Sequence, residues 1–530
     1  MLVVNTNVSA LKAQRELSRT RMGLSEAMER ISSGVRLNSA KDDAVGVGIS
    51  QRLTSHIKGL SMAMQNANDG IGFLQTAEGA LQEVTNLMQQ MREMAVQATN
   101  AANNTADISS MQARIVELNA EVTRIAEQTE LNGRKLLNGD IVNAEFQVGI
   151  RADQTLKVSI SSATAVHIGN YSTSTNGIGL NAMGAARLSD FKGEALSNLV
   201  QPQTLNIHGF SSSSAGTDIL VDFEESARAI ADKVNLQEHL TGVSSFAKTR
   251  LTMEDIFNQA SGLNTQSVSF NLYGANRKGI NPNEPTSVLI QSSITRDVVG
   301  KVDFSGLIAA INTQTIKTGI TATEISTGKI ELIQQSGENI SIERFQNASG
   351  EDQGTGVPLD DILTITGFEG TPPVTLQEGQ DFDSVTVGGI VTFNSYSAFT
   401  VTSDVLFDDS LFQQGFDGFL QGAEFSSLAD INFLKSGGAS FSLQVVTSGL
   451  DFISSLRGEL GALQNRFEST IANLGSVREN AEAARSRIED ADFAQETAKL
   501  TKAQILQEAG IAILAQANTI PQAVLALLRA

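Results

Sequence analysis

The sequence predicts an α+β multidomain protein: discontinuous α-helical coiled-coil segments at the two ends of the chain, paired with each other, around a β-rich α+β middle region. Three observations predict it: apolar heptads near both termini, a middle of different composition, and an apolar C-terminal tail. From Leu53, the positions Leu60, Ala67, Leu74, Leu81, Met88 and Ala95 recur every seven residues, with Ala77, Val84 and Met91 on an intermediate seam. Such a repeat is the mark of a long coiled-coil helix. Near the C-terminus, Ile453, Leu460, Phe467, Leu474, Ala481 and Ile488 form one seam, and Leu456, Leu463, Val477, Ala484 and Ala491 the other. A third helix runs from Met111 through Ile115, Leu118, Val122 and Ile125, and a shorter seven-spacing joins Val3, Ala10, Leu17, Leu24 and Ile31. Helices at both ends around an unlike middle predict that the ends pair. A self-contained bundle accounts for one or two of these helices, but not for apolar pattern in the first and last residues.

The tail, ILQEAGIAILAQANTIPQAVLALLRA, spans residues 505–530 and carries no charge from Ala509 to Leu528. Burying half of its ten Ile, Leu and Val side chains is worth about 10 kcal/mol gross, at roughly 2 kcal/mol each. Gln516, Asn518, Thr519, Pro521 and Gln522 interrupt the stretch and only Arg529 flanks its far end, so it is a poor membrane span. No membrane insertion is expected. A partner helix, from this chain or another copy, must cover it.

A chain of 530 residues with 41% hydrophobic content is long enough for three or four domains with sizeable cores. Its net charge of -20 excludes nucleic acid as an expected partner, because phosphate binding needs clustered Lys and Arg. Residues 1–140 and 441–530 are nearly neutral, so the acidity resides in the middle. There is no cysteine, which removes disulfides, thiol catalysis and Cys-ligated zinc. The N-terminus lacks a basic region ahead of an apolar run, so passage out of the cytoplasm is expected by a route other than a cleaved secretory signal.

Residues 176–404 hold all but one of the seven prolines and read as strands in VTVGGIVTF and TSVLIQSS, with FSSSSAG as an exposed turn. A repeat emerges there. IADKVNLQEHLTGVSS (230–245) aligns with LIAAINTQTIKTGITA (307–322), placing Asn235 over Asn312 and Gly242 over Gly319, and LNIHG (205–209) corresponds to FNLYG (270–274). Two strand–helix–turn–strand units are expected, at about 203–254 and 267–343. Elsewhere, Asn132-Gly133 and Asn138-Gly139 mark turns, and EFQVGIRADQTLKVSI reads as a hairpin. In SSGVRLNSAKDDAVGVG, the glycines Gly34, Gly46 and Gly48 are expected to break the helix, leaving a linker with Asn38, Lys41, Asp42 and Asp43 available for polar contacts. A phosphate loop is rejected there, because no strand precedes the glycine pair.

The segments ERISSGVRLNSAKDDAVGVGISQRLTSHIKGL (29–60), NANDGIGFLQTAEGALQEV (66–84), QTELNGRKLLNG (128–139) and SRIEDADFAQETAKLTKAQILQEAGIAILAQANTIPQAVLALLR (486–529) closely resemble bacterial flagellins. The likeness covers nearly half the chain, and the repeated middle unit looks like a short motif of some flagellins and hook-associated proteins. It implies a structural subunit that polymerises with its own copies into the flagellar filament, outside the cell, with no cofactor. The alternative is a hook–filament junction protein, which shares the terminal pattern but forms a short ring.

The resemblance further implies three regions: an inner polymerisation domain (1–43 with 486–530), a coiled-coil domain with β-hairpins (44–175 with 405–485), and a variable outer region (176–404). The polymerisation residues expected on the terminal helices are Leu11, Leu17, Leu24, Ile31, Ile505, Leu506, Ile513, Leu514, Val524, Leu525 and Leu528. Other implied partners are a flagellar export chaperone, the filament cap and the hook–filament junction proteins. A vertebrate Toll-like flagellin receptor would read the segment around LMQQMREMAVQ (87–97), where Gln89, Arg92 and Glu93 match the family motif and Met94 supplies an apolar anchor. Gln90 and Arg114 depart from it, standing where arginine and glutamate are typical, so recognition is expected to be weak.

Nothing in the sequence assembles catalytic chemistry. His56, His167, His208 and His239 are scattered and form no HExxH pair, so the zinc-protease insertion of some flagellins is absent and no metal is expected. Asp360-Asp361 and Asp408-Asp409 read as solvated turns.

Overall fold

The structure is a computed structural model that describes residues 7–529, apart from 101–102, 176–182, 190–194, 196, 199, 211–215, 257–264, 277–286, 297–301, 327, 349–361, 369–370, 378–382, 406–409, 413–420 and 436. The side chains of 348, 362, 377 and 520–529 also lie outside the description, and so do the FSSSSAG serines and both Asp pairs. The helices are α1 (Val8–Ser33), α2 (Ala44–Ala98), α3 (Thr105–Gln128), α4 (Ala227–Leu236), α5 (Glu238–Thr241), α6 (Ser305–Thr313), α7 (Thr315–Thr318), α8 (Gly438–Glu489) and α9 (Phe493–Arg529). The chain divides into two compact units: residues 1–80, 129–161 and 456–530, and residues 81–128 and 162–455.

In the first unit, α1 opens at Asn7, whose side chain accepts the Ala10 N–H at 3.0 Å, and closes at Gly34 in the left-handed region. The helix α2 starts at once after Asp43, whose Oδ1 accepts the N–H groups of Val45 and Gly46 at 3.0 and 2.9 Å. The expected break at Gly46 and Gly48 is therefore corrected, because both lie inside the first turns of α2. A Cβ on Gly46 would stand 2.6 Å from Asp43 Oδ2, so this glycine makes room for the cap.

The heptad seams bury Leu60, Ala67, Leu74 and Ala77 on α2 against Leu456, Leu460, Phe467 and Leu474 on α8. Burial fades towards the C-terminal end of α8, where Val477 is exposed and Ala481, Ala484 and Ile488 are half-buried. The hairpin of Ala144–Gln147 and Thr155–Val158 supplies a third element. Its Phe146 ring lies 5.6 Å from both Phe73 and Phe467, edge-on to each. Asn66 Nδ2 donates to the Gln147 carbonyl at 3.0 Å, and Gly70 lies flat beneath Phe467, where a Cβ would come within 2.7 Å of the ring. The Asn132-Gly133 turn, with both φ positive, joins Glu130–Leu131 to Arg134–Lys135.

In the second unit, Leu81, Val84, Met88, Met91 and Ala95 of α2 are buried, as are Ile115 and Val122 of α3 and Ile453 of α8. Gly449 on α8 admits Met88 and Ile168, whose atoms would lie 2.6 and 2.7 Å from a Cβ there. The 3-10 turn Leu428–Asp430 and the segment after it are tied to α3 by Asn119, which donates to the Leu428 carbonyl at 2.8 Å, and by Gln112, which bonds Ile431 and Phe433.

The strands of this unit pair antiparallel. An eight-stranded sheet runs Ile320–Ser326, Lys329–Gln334, Ser244–Glu254, Ile390–Ser395, Gly169–Ser174, Glu424–Ser427, with Ile362–Thr366 and Val374–Gln377 branching beside Ser244–Glu254. This sheet crosses the 175/176 and 404/405 boundaries expected from composition, because Gly169–Ser174 pairs with both Ile390–Ser395 and Glu424–Ser427. A six-stranded sheet runs Val302–Asp303, Val288–Arg296, Thr265–Tyr273, Ile340–Ala348, Val385–Val387, Ala186–Leu188, and a four-stranded one runs Gln421–Gly422, Thr400–Ser403, Gln203–His208, Thr217–Val221.

The repeat is physical. In the first copy Leu205, Ile207, Ile230, Val234 and Val243 enter one core; their counterparts Phe270, Leu272, Leu307, Ile311 and Ile320 enter another. Asn235 bonds the N–H and carbonyl of Ser245 at 2.7 and 2.9 Å, and Asn312 does the same to Ala322 at 2.7 and 2.9 Å. Gly242 and Gly319 cap α5 and α7 with φ of 68° and 69°. Gly209 and Gly274 end their strands so close to the carbonyls of Thr241 and Thr318 that a Cβ would lie 1.8 and 2.3 Å away.

Two glycines in one helix give opposite expectations. Gly70→Ala is expected to destabilise the monomer by about 1–3 kcal/mol, because overpacking against Phe467 outweighs the helix gain. Gly72→Ala meets nothing within 4 Å and is expected to stabilise by up to about 1 kcal/mol. Urea unfolding of the monomer checks both signs.

Candidate polymerisation interface

The helices α1 and α9 pack along a narrow seam made of small groups. It buries Leu17, Ala27, Ala503 and Ala517, and Gly510 admits Leu17, whose Cδ1 would be 3.1 Å from an added Cβ. At one end Asn7 Nδ2 donates to the Ala517 carbonyl at 2.9 Å. At the other, the buried carboxylate of Glu496 meets Lys499 Nζ at 2.7 Å and Arg30 Nη1 at 3.6 Å. Arg30 also holds Glu26 at 2.5 Å. A buried carboxylate is tolerated only when paired in this way, and removing a partner costs roughly 3–5 kcal/mol.

The linkers that lead into these helices pair with each other. Val35 and Asp490 form an antiparallel bridge, Arg36 donates its N–H to the Glu489 carbonyl at 2.6 Å and its Nη2 to the Ile488 carbonyl at 2.7 Å, and Ala491 N–H reaches the Gly34 carbonyl at 3.0 Å. Asp492 Oδ1 then caps α9 by accepting the N–H groups of Ala494 and Gln495. Asp42 organises the other linker, accepting Ser39 N–H at 2.8 Å and Asn38 N–H at 3.2 Å, while Asn38 Nδ2 donates to Glu29 at 2.5 Å. The donation from Ser39, chiefly from its backbone, holds the Asp42 carboxyl below its ordinary range. Asp43 is the α2 cap, and Lys41 is exposed.

Of the residues expected at the interface, Leu17 is buried, and Leu24, Ile31 and Leu514 are half-buried. Leu11, Ile505, Leu506 and Ile513 stand in solvent, 48–61% exposed. The side chains of Val524, Leu525 and Leu528 lie outside the described residues, although the helix backbone runs through them. Sequence reasoning missed Val8, Met22, Met28, Phe493 and Ile511, all exposed on the same two helices. They fall off the heptad, and the signal that finds them is the apolar content of the helix as a whole. A two-helix pair has no third surface to cover them. If each contributes about 1 kcal/mol on burial, the open face is worth on the order of 10 kcal/mol.

Gln89, Gln90, Arg92 and Glu93 are exposed on α2, and Arg114 is exposed on α3. Met94 is only 8% exposed, so its side chain packs into the helical core and is not offered to a partner as an anchor. His167 Nδ1 lies 2.8 Å from Thr164 Oγ1, within one turn. Among the described residues no three His, Cys, Asp or Glu side chains gather as metal ligands, and no helix is long and apolar enough to cross a membrane.

The family model for the bacterial flagellin N-terminal helical region matches residues 4–141, and that for the C-terminal helical region matches residues 443–528. Among curated relatives, the B-type flagellin of Pseudomonas aeruginosa is 36% identical over 533 residues, covering 100% of both chains. The flagellin of Salmonella typhimurium is 31% identical over 543 residues, covering 99% of each. Among solved structures, the flagellar hook associated protein-3 of Legionella pneumophila aligns at 11% identity and a TM-score of 0.32, covering 83% of this chain and 98% of that one. With two terminal helical regions matched and full-length identity above 30% to filament flagellins, the chain belongs to the bacterial flagellin family and is a structural subunit of the flagellar filament.

Proposed function

We propose that the open apolar faces of α1 and α9 are the surfaces through which copies of the chain polymerise. One observation carries this reading: nine large apolar side chains on the paired helices, from Val8 and Leu11 to Ile511 and Ile513, remain 48–66% exposed. Contacts of this kind between unlike surfaces do not close, and non-closing contacts propagate a helical filament. Residues 1–43 with 486–530 then form the inner polymerisation domain, 44–175 with 405–485 the coiled-coil domain, and 176–404 the outer region, the last two sharing strands of the eight-stranded sheet. The bridge of Val35 to Asp490 supports a boundary at the linkers. The acidic charge of the middle suits an outer surface, where self-repulsion keeps filaments apart.

The same face of α9 needs a guard before assembly, and an amphipathic helix in the groove of an export chaperone is the mode that fits. The filament cap and the hook–filament junction proteins would meet this face at the two ends of the polymer. Export through the flagellar apparatus in an unfolded state is supported by the absence of cysteine, which leaves no crosslink to undo. The function is mechanical, with no enzymatic step and no cofactor.

Deleting Ile505–Ala530 is expected to give a soluble monomer that does not polymerise at the intact protein's critical concentration. The subtler pair Ile505→Asp and Ile513→Asp alters two side chains each 61% exposed in the monomer. It is expected to preserve monomer helicity, raise the critical concentration at least about tenfold and weaken chaperone binding. Unchanged sedimentation of polymer by the double variant would count against the reading.

Recognition by a Toll-like flagellin receptor is expected to be weak. Gln90 lacks the bidentate donor of an arginine, and Arg114 inverts the charge of a glutamate. A charged interface contact is worth roughly 2–5 kcal/mol. Combining Gln90→Arg with Arg114→Glu is expected to raise receptor activation by the monomer in a reporter-cell titration; full potency of the unaltered chain would contradict this.

A further inference from the structure

Beyond the pairing of Lys329–Gln334 with Ser244–Glu254, the two copies of the repeat are joined by the turn that follows, at residues 335–339. Gln334 folds that turn, its Oε1 accepting the N–H groups of Ser336 at 2.8 Å and Glu338 at 3.2 Å. The turn is fastened to the first copy from two sides. Arg228 of α4 donates its N–H to the Gly337 carbonyl at 3.2 Å, and Thr249 Oγ1 on Ser244–Glu254 donates to the Glu338 carbonyl at 2.6 Å. Gly337, with φ of 79°, lies so close to that strand that a Cβ would stand 2.2 Å from Ala247 Cβ. Only glycine fits there.

These bonds carry the Glu338 side chain into the join, where the residue is 3% exposed. A buried carboxylate needs hydrogen-bond donors for its oxygens and a cation close by. Glu496 has both Lys499 and Arg30, and Glu331 abuts Arg250. Glu338 is less well served. Its Oε1 lies 3.4 Å from Arg228 Nη1, its Oε2 has no hydrogen-bond partner, and Arg228 is itself 47% exposed and shared with Asp232 at 3.7 Å.

The surrounding elements add no second cation. Lys248 and Arg250 flank Thr249, but strand alternation turns them to the opposite face. Lys233 on α4 is taken up by Asp222 and Glu225. Asn198 bonds the Glu225 carbonyl and the Asn339 side chain, and Ser226 offers the carboxylate a hydroxyl. Burial outweighs Arg228 and Ser226, and the Asp232 charge adds repulsion, so the Glu338 carboxyl titrates above the 4.5 of an ordinary glutamate. The unfolded chain keeps the ordinary value. Stability from this group is therefore complete below pH 4.5 and is lost as pH rises through the raised value.

We propose that Glu338 is a proton-operated latch between the two copies of the repeat, tight when its carboxyl is protonated and slack when it is ionised. A proton taken from solvent replaces a poorly paired buried charge with a neutral carboxyl, and the turn seats between α4 and Ser244–Glu254 without that cost. The latch lies in the middle region and needs no filament to operate.

The full-length monomer tests it. The chain has no tryptophan, and its three tyrosines, Tyr171, Tyr273 and Tyr396, lie on or next to strands of this unit, so tyrosine fluorescence follows its unfolding. Urea midpoints are compared from about pH 8 to about pH 5. Glu338→Gln, which mimics the protonated carboxyl, is expected to raise the midpoint by roughly 0.3–1 M at the alkaline end and to lose that advantage towards the acid end. Arg228→Ala is expected to lower the midpoint at the alkaline end and to lose most of that effect in acid, where a neutral carboxyl needs no cation. A Glu338→Gln midpoint at or below that of the unaltered chain at the alkaline end, or a gap between the two that stays constant across the range, would overturn the proposal. So would an equal loss for Arg228→Ala at both ends.

Discussion

The narrow seam between α1 and α9 is the constraint on which the rest depends. Leu17, Ala27, Ala503 and Ala517 are small or single contacts, and the helices that carry them hold their larger apolar side chains in water. A pair of helices joined by so little buried area is marginal by itself, since helices gain most of their stability from tertiary packing. The fixed elements at its root are therefore important: the Val35–Asp490 bridge, the Asn7 and Asp492 caps, and the paired Glu496. They set the two helices side by side without closing their outer faces. On the proposed reading, association supplies the burial that folding leaves undone.

The coiled-coil segments are built on the opposite rule. There, glycines admit large side chains, Gly70 beneath Phe467 and Gly449 beside Met88, so that the seams close at those levels within one chain. The middle region follows the same rule with different means. Asn235 and Asn312 satisfy strand groups that would otherwise be orphaned, at distances of 2.7–2.9 Å. A subunit that must polymerise through one surface benefits from having its other sticky surfaces satisfied, and the division between open apolar helices and capped strands expresses that requirement.

Much of this was legible in the sequence because it is periodic. Heptads report a buried seam directly, and Leu60, Leu74, Leu81, Met88, Leu460 and Phe467 are buried as the spacing requires. The repeat was legible because Asn and Gly at fixed offsets have geometric duties that few other residues perform. What escaped was decided by contacts distant in sequence. Gly46 and Gly48 read as helix breakers, yet the Asp43 cap needs the space at Gly46. The joining of Gly169–Ser174 to Ile390–Ser395 cannot be read from composition, because strand pairing has no local signature. Met94 lies beside exposed Glu93 and Arg92, and only the packing of the helical core shows that it faces inward. Glu496, a buried charge, gave no sign until Arg30 and Lys499 were found around it.

The central claim is that the apolar face left open on α1 and α9 is covered by other copies. Met22 and Met28, 63% and 50% exposed on α1, and Phe493, 66% exposed on α9, report on it directly. Hydroxyl-radical footprinting of the full chain, as monomer and as filament, measures their accessibility side by side. The account predicts rapid oxidation of all three in the monomer and strong protection in the filament. Oxidation at the same rate in both states would contradict it.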